Sequence, residues 1–469
     1  MSLSVFSQIT TPLSLREGAG VRLLSLEQLL DSALHHNIAI RNAEHDIDAA
    51  KEQRREAFTK YFPTVSGTAM TFNANRSMAK MNMDPQEFIP SSLTATLSLM
   101  LPPEALVALS SPISMSMMKS GTIASIMAMQ PLFAGGQIVN GNRLAKVGED
   151  VSRLQLQLSE NEVERQTEQY YWQLVSLQEK VRTLDAVDSL LNDIYKDVDV
   201  AVRAGVALRN DLLQVQLRQN DMKSQRLKLD NGISIIKELL GQYAGLTPRP
   251  TPDPSLCREG SSYSFDIIMP DIHQPDNSLP SLYREGSGEG LLGRVGLLPE
   301  YQLLQKQVEA TTLQKKMEVG KNLPTVAVGA GYNYHNLMDN DRTFAMIFAT
   351  VSVPISDWWG GSHAVKRRKI AQQKAEEQLD DNAELLKIRM QKSANDVNEA
   401  IEQLKLAAQS AEQAEENLRL ARDRYRAGTS TMSNLLEAQL LSQQAKDKQT
   451  DAYADLQLRL LDYRQATGQ

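Results

Sequence analysis

The sequence predicts a mainly α-helical chain with a small β component, built as an internal duplication of long helical hairpins, and three observations lead there. RAGVALRNDLLQVQL, from Arg203 to Leu217, and RAGTSTMSNLLEAQL, from Arg426 to Leu440, share seven of fifteen positions. Their surroundings repeat in the same order: KYFPTVSGTAMTFN at Lys60 resembles KNLPTVAVGAGYNY at Lys321, and MQPLFAGG at Met129 resembles VPISDWWGG at Val353. Pro131 to Arg203 and Pro354 to Arg426 both span 72 positions, a match in length that short chance similarities do not produce.

In chain order, residues 1–23 form an N-terminal extension with no basic flank, apolar run and small-residue cleavage site. No secretory signal is legible in it, which leaves a processed exported chain and a cytoplasmic one both open. Residues 24–246 are the first repeat and read helix, strand, strand, long helix, turn, helix, with strands near Thr64–Phe72 and Thr122–Gln130. Between those strands lies an insert of about 76–120, since Pro63 to Pro131 is 68 positions where Pro324 to Pro354 is 30. Residues 247–297, rich in Pro, Gly and Ser, are an inter-repeat linker or equatorial segment, either disordered or a small ordered belt. The second repeat, 298–469, carries strands at Thr325–His335 and Thr343–Val353.

The helices are predicted from their period. Leu174, Leu177, Val181, Leu184, Val187, Leu191, Ile194, Val198 and Ala201 advance by threes and fours, close to the 3.5 of a coiled-coil seam, with no proline between the second strand and the RAG turn. Ile401, Leu404, Ala408, Ala411, Ala414, Leu418, Ala421 and Tyr425 repeat the pattern. Each RAG element reads as the tip of an αα-hairpin, with Gly205 and Gly428 at positive φ and Asn210–Asp211 or Ser433–Asn434 capping the next helix. On the helices alone, a coiled-coil structural scaffold fits equally well.

The strands separate the readings. Val326, Val328, Ala330, Tyr332 and Tyr334 alternate with Thr325, Ala327, Gly329, Gly331, Asn333 and His335, the pattern of a strand between lipid and a wet lumen. Tyr61, Phe62, Phe133, Trp358 and Trp359 fall where strands meet helices, the level of a membrane-interface aromatic girdle. Four strands cannot close a barrel, because the smallest need about eight and an open edge in hydrocarbon leaves backbone groups unpaired. The chain is therefore expected to oligomerise; three copies would supply twelve strands, with the long helices continuing the wall as an α-barrel.

The stretch LSLEQLLDSALHHNIAIRNAEHDIDAAKEQRREAFTKYFPTV at Leu24–Val65, QPLFAGG and the two RAG tips, in this order and spacing, resemble the TolC-type outer membrane efflux proteins. The resemblance implies a homotrimer in the outer membrane of a Gram-negative bacterium. Each chain would give four strands to a twelve-stranded transmembrane β-barrel and its long helices to an α-barrel extending into the periplasm. It implies a passive exit duct of a tripartite efflux or type I secretion system, docked through Arg203, Ala204, Gly205, Arg426, Ala427 and Gly428 onto a periplasmic adaptor and coupled to an inner-membrane RND or ABC transporter. Carried over by position, the periplasmic aperture would involve Asp211, Gln214, Tyr425, Ser430, Asn434 and Glu437. Ser430 and Asn434 stand where other members have an arginine and a carboxylate, so the gate charge pattern is only partly kept.

The remaining features narrow the field. A net charge of −7 offers no basic field for nucleic acid, and no stretch reaches the length of a membrane-spanning helix. The one cysteine, Cys257, and six histidines show no metal spacing, and no enzyme motif or cofactor site emerges. Methionines crowd the insert, at Met78, Met81, Met83, Met100, Met115, Met117 and Met118, with Met127 and Met129 beyond. They suit an extracellular loop, lid or plug, with a Cu(I)/Ag(I)-dedicated duct as the alternative.

Overall fold

A computed structural model describes residues 22–76, 79–83, 93, 102, 113–117, 120–246, 265–270, 294–337, 340–355 and 357–468. The extension up to residue 21, most of the insert with Met78, Met100 and Met118, and most of the 247–297 segment with Cys257 lie outside these residues. The chain divides into two compact units that cut across the repeats. One comprises residues up to Ala49, Glu149–Val308 and Ala375 onward; the other comprises Ala50–Gly148 and Glu309–Lys374.

The first unit is helical. Short strand β1 (Arg22–Leu24) leads into α1 (Leu26–His36), where Ser25 and Gln28 form a reciprocal capping box. Asn37 is buried between α1 and α2 (Ile38–Thr59), its Oδ1 accepts from Ala39 N at 2.8 Å, and its Nδ2 donates to Tyr243 O at 3.1 Å. Ser32 Oγ donates to Ala244 O at 2.8 Å, so α1 seals the end of the later helix α4 (Arg209–Tyr243). Leu29, Ala33, Tyr171, Trp172, Leu174, Leu240 and Tyr453 form the main core here.

Long helices α3 (Gln137–Arg203), 67 residues, and α6 (Asp357–Arg426), 70 residues, are each on the order of 100 Å at the usual rise. The expected α3 seam is found: Leu174, Leu184, Val187, Leu191, Ile194 and Val198 are buried. The α6 seam is shallower. Among its predicted positions only Ala411 is buried, the rest half-buried. The second helix of each hairpin is α4 or α7 (Met432–Thr467).

The tips end as expected at Gly205 (φ 73°) and Gly428 (φ 71°). Val206 N bonds Ala201 O at 2.9 Å and Gly205 N bonds Val202 O at 3.0 Å, with the same pair repeated at Thr429 and Gly428. The expected caps are corrected. The residue before α4 is Leu208, without a side-chain cap, which places Asn210 and Asp211 inside the first turn; α7 is capped by Thr431 Oγ1, which accepts from Asn434 N.

Within 247–297, one described piece is an ordered strand. β6 (Phe265–Ile267) pairs in parallel with β1 and is anchored by Asp266, which accepts from Gln178 at 2.6 Å and lies 3.1 Å from Lys237. Those bonds outweigh partial burial and hold the Asp266 carboxyl below its ordinary range. A 3-10 turn at Val295–Leu297 precedes α5 (Pro299–Lys321).

The second unit carries a four-stranded antiparallel sheet in the order β2 (Thr64–Asn73), β5 (Ser120–Ala134), β7 (Thr325–Leu337), β8 (Asn340–Ser352). Register places Val65, Ala128, Ala330 and Ile347 in one row and Gly67, Ile126, Tyr332 and Ala345 in another on the same face. The opposite face holds rows such as Ser66, Met127, Gly331, Met346 and Thr68, Ser125, Asn333, Phe344. The register shift between Pro131 and Phe133 follows from proline lacking the N–H that the ladder needs. Within the insert, β3 (Ala79–Met83) pairs with β4 (Ile113–Met117), setting Met81 opposite Met115.

Two glycines explain the turn after β5. Gly135 has φ 58° and meets the backbone of Gly320 so closely that a Cβ on either would overlap the other chain segment. Gly135→Ala is expected to lower the thermal midpoint by the equivalent of about 2–4 kcal/mol, combining left-handed strain with overpacking. Calorimetry of the purified protein checks this; an unchanged midpoint would show that the crossing relaxes freely.

Candidate functional site

Both RAG tips line a single cleft of about 720 Å³ in the first unit. Its walls are Ile194, Asp197, Val198 and Ala201 from α3, the turn Gly205–Leu208, Asp211 from α4, Arg422, Tyr425 and Arg426 from α6, and Ala427, Gly428, Ser430 and Leu435. The duplication places these groups together because each hairpin contributes an equivalent corner. Apolar contacts among Ile194, Val198, Val215, Met432 and Leu435 hold the corners in place.

Tyr425 is the electrostatic centre. Partial burial raises its hydroxyl pKa, and the carboxylates of Asp211 and Asp197 raise it further. The phenol therefore stays protonated and available to donate across the physiological range. Asp197, absent from the sequence expectations, ties the hairpins together: Arg426 lies 3.5 Å from it, while Arg203 pairs with Asp199 at 2.7 Å on its own helix. These pairs are exposed and contribute little on their own. Arg422 Nε is buried without a hydrogen-bond partner beside this cleft.

Of the expected site residues, Asp211, Tyr425 and Ser430 share the cleft, whereas Gln214, Asn434 and Glu437 do not line it. Asn434 Nδ2 donates to Ser430 Oγ at 3.3 Å, and Ser433 Oγ donates to Gln214 Oε1 at 3.3 Å, bridging α7 to α4. Ser430 and Asn434 thus meet as a neutral hydroxyl–amide contact.

Further along the same seam lies a second polar layer that the sequence did not disclose. Arg218 Nε donates to Gln439 Oε1 at 2.9 Å and Nη2 to Gln443 Oε1 at 3.1 Å, while Gln443 Nε2 donates to Gln225 Oε1 at 3.0 Å. Gln439 is 0% exposed. Burial lowers the Arg218 pKa, with the Asp221 carboxylate opposing.

The aromatic positions belong to the second unit. Phe58, which the sequence reading passed over, packs edge-on against Tyr61 and Phe62 with ring centroids 5.6 Å apart in each case. Tyr61, Phe62, Phe133 and Trp359 are exposed, whereas the Trp358 side chain lies outside the described atoms. His335 stands on the Met and Phe face of the sheet, its ring 6.1 Å from that of Phe344 and its Nδ1 buried without a partner.

The family follows from these features together with direct comparison. The outer membrane efflux protein family matches residues 29–246 and 300–469, and the chain belongs to it. Its fold is similar to VceC from Vibrio cholerae (TM-score 0.67, 15% identity, covering 94% of this chain and 96% of that one) and to CmeC of Campylobacter jejuni (0.68, 15%, 94% and 85%). It is likewise similar to the open state of MtrE from Neisseria gonorrhoeae (0.67, 14%, 94% and 88%). Comparison of the sequence with curated proteins gives no match. The chain is accordingly an outer membrane efflux channel protein rather than an enzyme, and no helix among the described residues is long and apolar enough to cross a membrane.

An acid-sensitive contact sits on the α3–α7 seam. Asp451 accepts from Ser176 Oγ at 2.8 Å and pairs with Lys180 at 2.7 Å, while Asp447 one turn away has a buried oxygen without a partner. Burial, aided by Asp451 and opposed by Lys180, raises the Asp447 pKa to about 6. Because this folded-state value lies above the ordinary carboxylate value, the folded chain binds the extra proton, and stability falls as pH rises from about 4 to about 6. Asp447→Asn is expected to raise the thermal midpoint at pH 7.5, with the gain vanishing below about pH 4. Thermal unfolding of both proteins across this range is the check, and a gain independent of pH would assign the effect to packing.

Proposed function

We propose that this chain is the protomer of a passive, homotrimeric exit duct in the outer membrane of a Gram-negative bacterium. Three copies join their four-stranded sheets into a twelve-stranded barrel. The hairpin tips form a periplasmic aperture that docks an adaptor and receives cargo from an inner-membrane pump of the RND or ABC class. One observation carries this reading: an antiparallel sheet whose edges β2 and β8 are unpaired among the described residues, one face of which shows Val65, Ile126, Ala128, Ala330, Tyr332 and Ile347 without a charged side chain in those rows. In hydrocarbon, such edges are stable only when paired with another copy.

The face that carries Thr68, Ser125, Asn333 and His335 suits a wet lumen, and the exposed aromatics suit an interfacial girdle. At the tips, Asp211 and Glu437, multiplied by three, would set carboxylates facing one another across a pore and favour closure only while their charge is compensated. Tyr425, kept protonated by burial and by the nearby Asp211 and Asp197 carboxylates, stands in the same cleft as a neutral donor. The open state named for MtrE supports a wall with two arrangements, of which the tip contacts stabilise one.

The detergent-solubilised protein is expected to run as a heat-sensitive trimer on a gel. In planar bilayers, Asp211→Ala combined with Glu437→Ala is expected to raise single-channel conductance severalfold. Migration only as a monomer, or conductance equal to the wild type, would count against the trimer and the gate respectively.

A further inference from the structure

The seam between α4 and α7 alternates between two chemistries. On α4 the inward heptad positions run Val215, Arg218, Met222, Gln225, Leu229; on α7 they run Met432, Leu435, Gln439, Ser442, Lys446, Gln449, Tyr453. Both helices leave their tips in the same direction along the chain. Their contacts rise together from Ser433–Gln214 through Arg218–Gln439 and Arg218–Gln443 to Gln225–Gln443. An apolar layer near the tip, with Val215, Met432 and Leu435, is thus followed by a layer in which a guanidinium donates to two amide oxygens.

Apolar heptad layers stabilise a seam but tolerate sliding and rotation, because one Leu or Met contact replaces another at small cost. A polar residue at a core heptad position specifies one register and lowers stability relative to an apolar layer, since any shift leaves its partners unsatisfied. Arg218 is such a residue. It makes a fork to two glutamines one turn apart, Gln439 and Gln443, and the first of these is fully buried, so displacement of α4 by a single turn would strand both carboxamides. The repeat sharpens the point. The position equivalent to Arg218 in the second hairpin is Leu441, which is exposed, so this device is on one hairpin only.

We propose that Arg218 is a positioning residue of the duct: its fork onto Gln439 and Gln443 fixes the register of α4 against α7 and thereby holds Asp211 and Glu437 in the resting arrangement of the aperture. Arg218 lies seven positions beyond Asp211, two helical turns and about 10 Å along α4, and Gln439 lies two positions beyond Glu437. Whatever shifts this layer must move both acidic positions. Gln439 and Gln443 also border a cleft of about 540 Å³ between α3, α6 and α7, yet both are buried, so the layer stays dry while the fork is closed.

This inference rests on the duct reading, and the experiment keeps the two apart. In planar bilayers, Arg218→Met, which removes both bonds of the fork, is expected to shift the resting population toward the conducting state by at least about tenfold, the lower bound that loss of a charge-assisted hydrogen bond implies. Arg218→Lys, a point donor without the fork, is expected to fall between that variant and the wild type. Arg218→Met with Gln439→Leu replaces the polar contact by an apolar one: it is expected to recover the thermal midpoint lost in the single variant yet to stay as conductive. A merely structural role predicts that conductance returns with stability, and that result overturns the proposal. So does wild-type conductance in Arg218→Met with the oligomer intact. If neither the wild type nor the Asp211→Ala, Glu437→Ala variant forms channels, the duct reading falls and takes this inference with it.

Discussion

The backbone N–H and C=O groups along the outer edges of β2 and β8 are the constraint from which the rest of the molecule follows. Among the described residues those groups have no ladder partner, and the sheet between them presents exposed Val65, Ile126 and Ile347 on one face. Water satisfies such an edge at no great cost, whereas hydrocarbon leaves each group short by several kcal/mol. A sheet with this composition and two open edges is consequently half of an interface. The duplication is the economical way to make it, since each repeat contributes one antiparallel pair, and β5 against β7 joins the two pairs into a four-stranded piece.

The helices meet a different demand. A helix of about 100 Å cannot bury its seam in a compact core, so each stretch must find its own neighbour, and the chain does so in separate apolar patches rather than one continuous core. Tyr171, Trp172 and Tyr453 supply bulk where α1, β1 and β6 close over the seam; burial pushes the Tyr171 phenol up to about 12, and its hydroxyl donates to Ile268 O. Nearer the tips the side chains thin to Val, Ile and Met, and polar layers take over the task of fixing register. Stability is therefore concentrated where α1 and β6 pack, and specificity where the hairpins turn.

Much of this was legible because it is periodic or repeated. Glycines at the hairpin ends, the threes and fours of Leu184, Val187 and Leu191, and the strand after each Lys-x-x-Pro-Thr-Val are local signals with local causes. What escaped the sequence was non-local. The parallel pairing of Arg22–Leu24 with Phe265–Ile267 involves three-residue strands too short to show alternation, joined across more than half the chain. The caps were misplaced because Asn210–Asp211 and Ser433–Asn434 both look like helix starts, whereas the turn after each glycine closes in three residues at both tips and leaves Leu208 and Thr431 at the boundary. Asp197 and Gln443 gave no signal at all: each is an ordinary helix-surface residue until a partner two hundred positions away selects it.

The departures from repeat symmetry are where function is most readily placed. Two identical hairpins would build a wall with equivalent seams, and such a wall would have no reason to prefer one seam as the joint that moves. Here the first hairpin carries an acid at 211 where the second carries Asn434, and a guanidinium at 218 where the second carries Leu441. Conversely, the first has Gln214 where the second has Glu437. Charge has thus been divided between hairpins so that neither holds a complete set, and contacts such as Ser433 to Gln214 and Arg426 to Asp197 cross from one to the other to complete it. In the proposed aperture, complementary halves of this kind would open by separating, and that separation requires only that the seam between them be weaker than the seams within each.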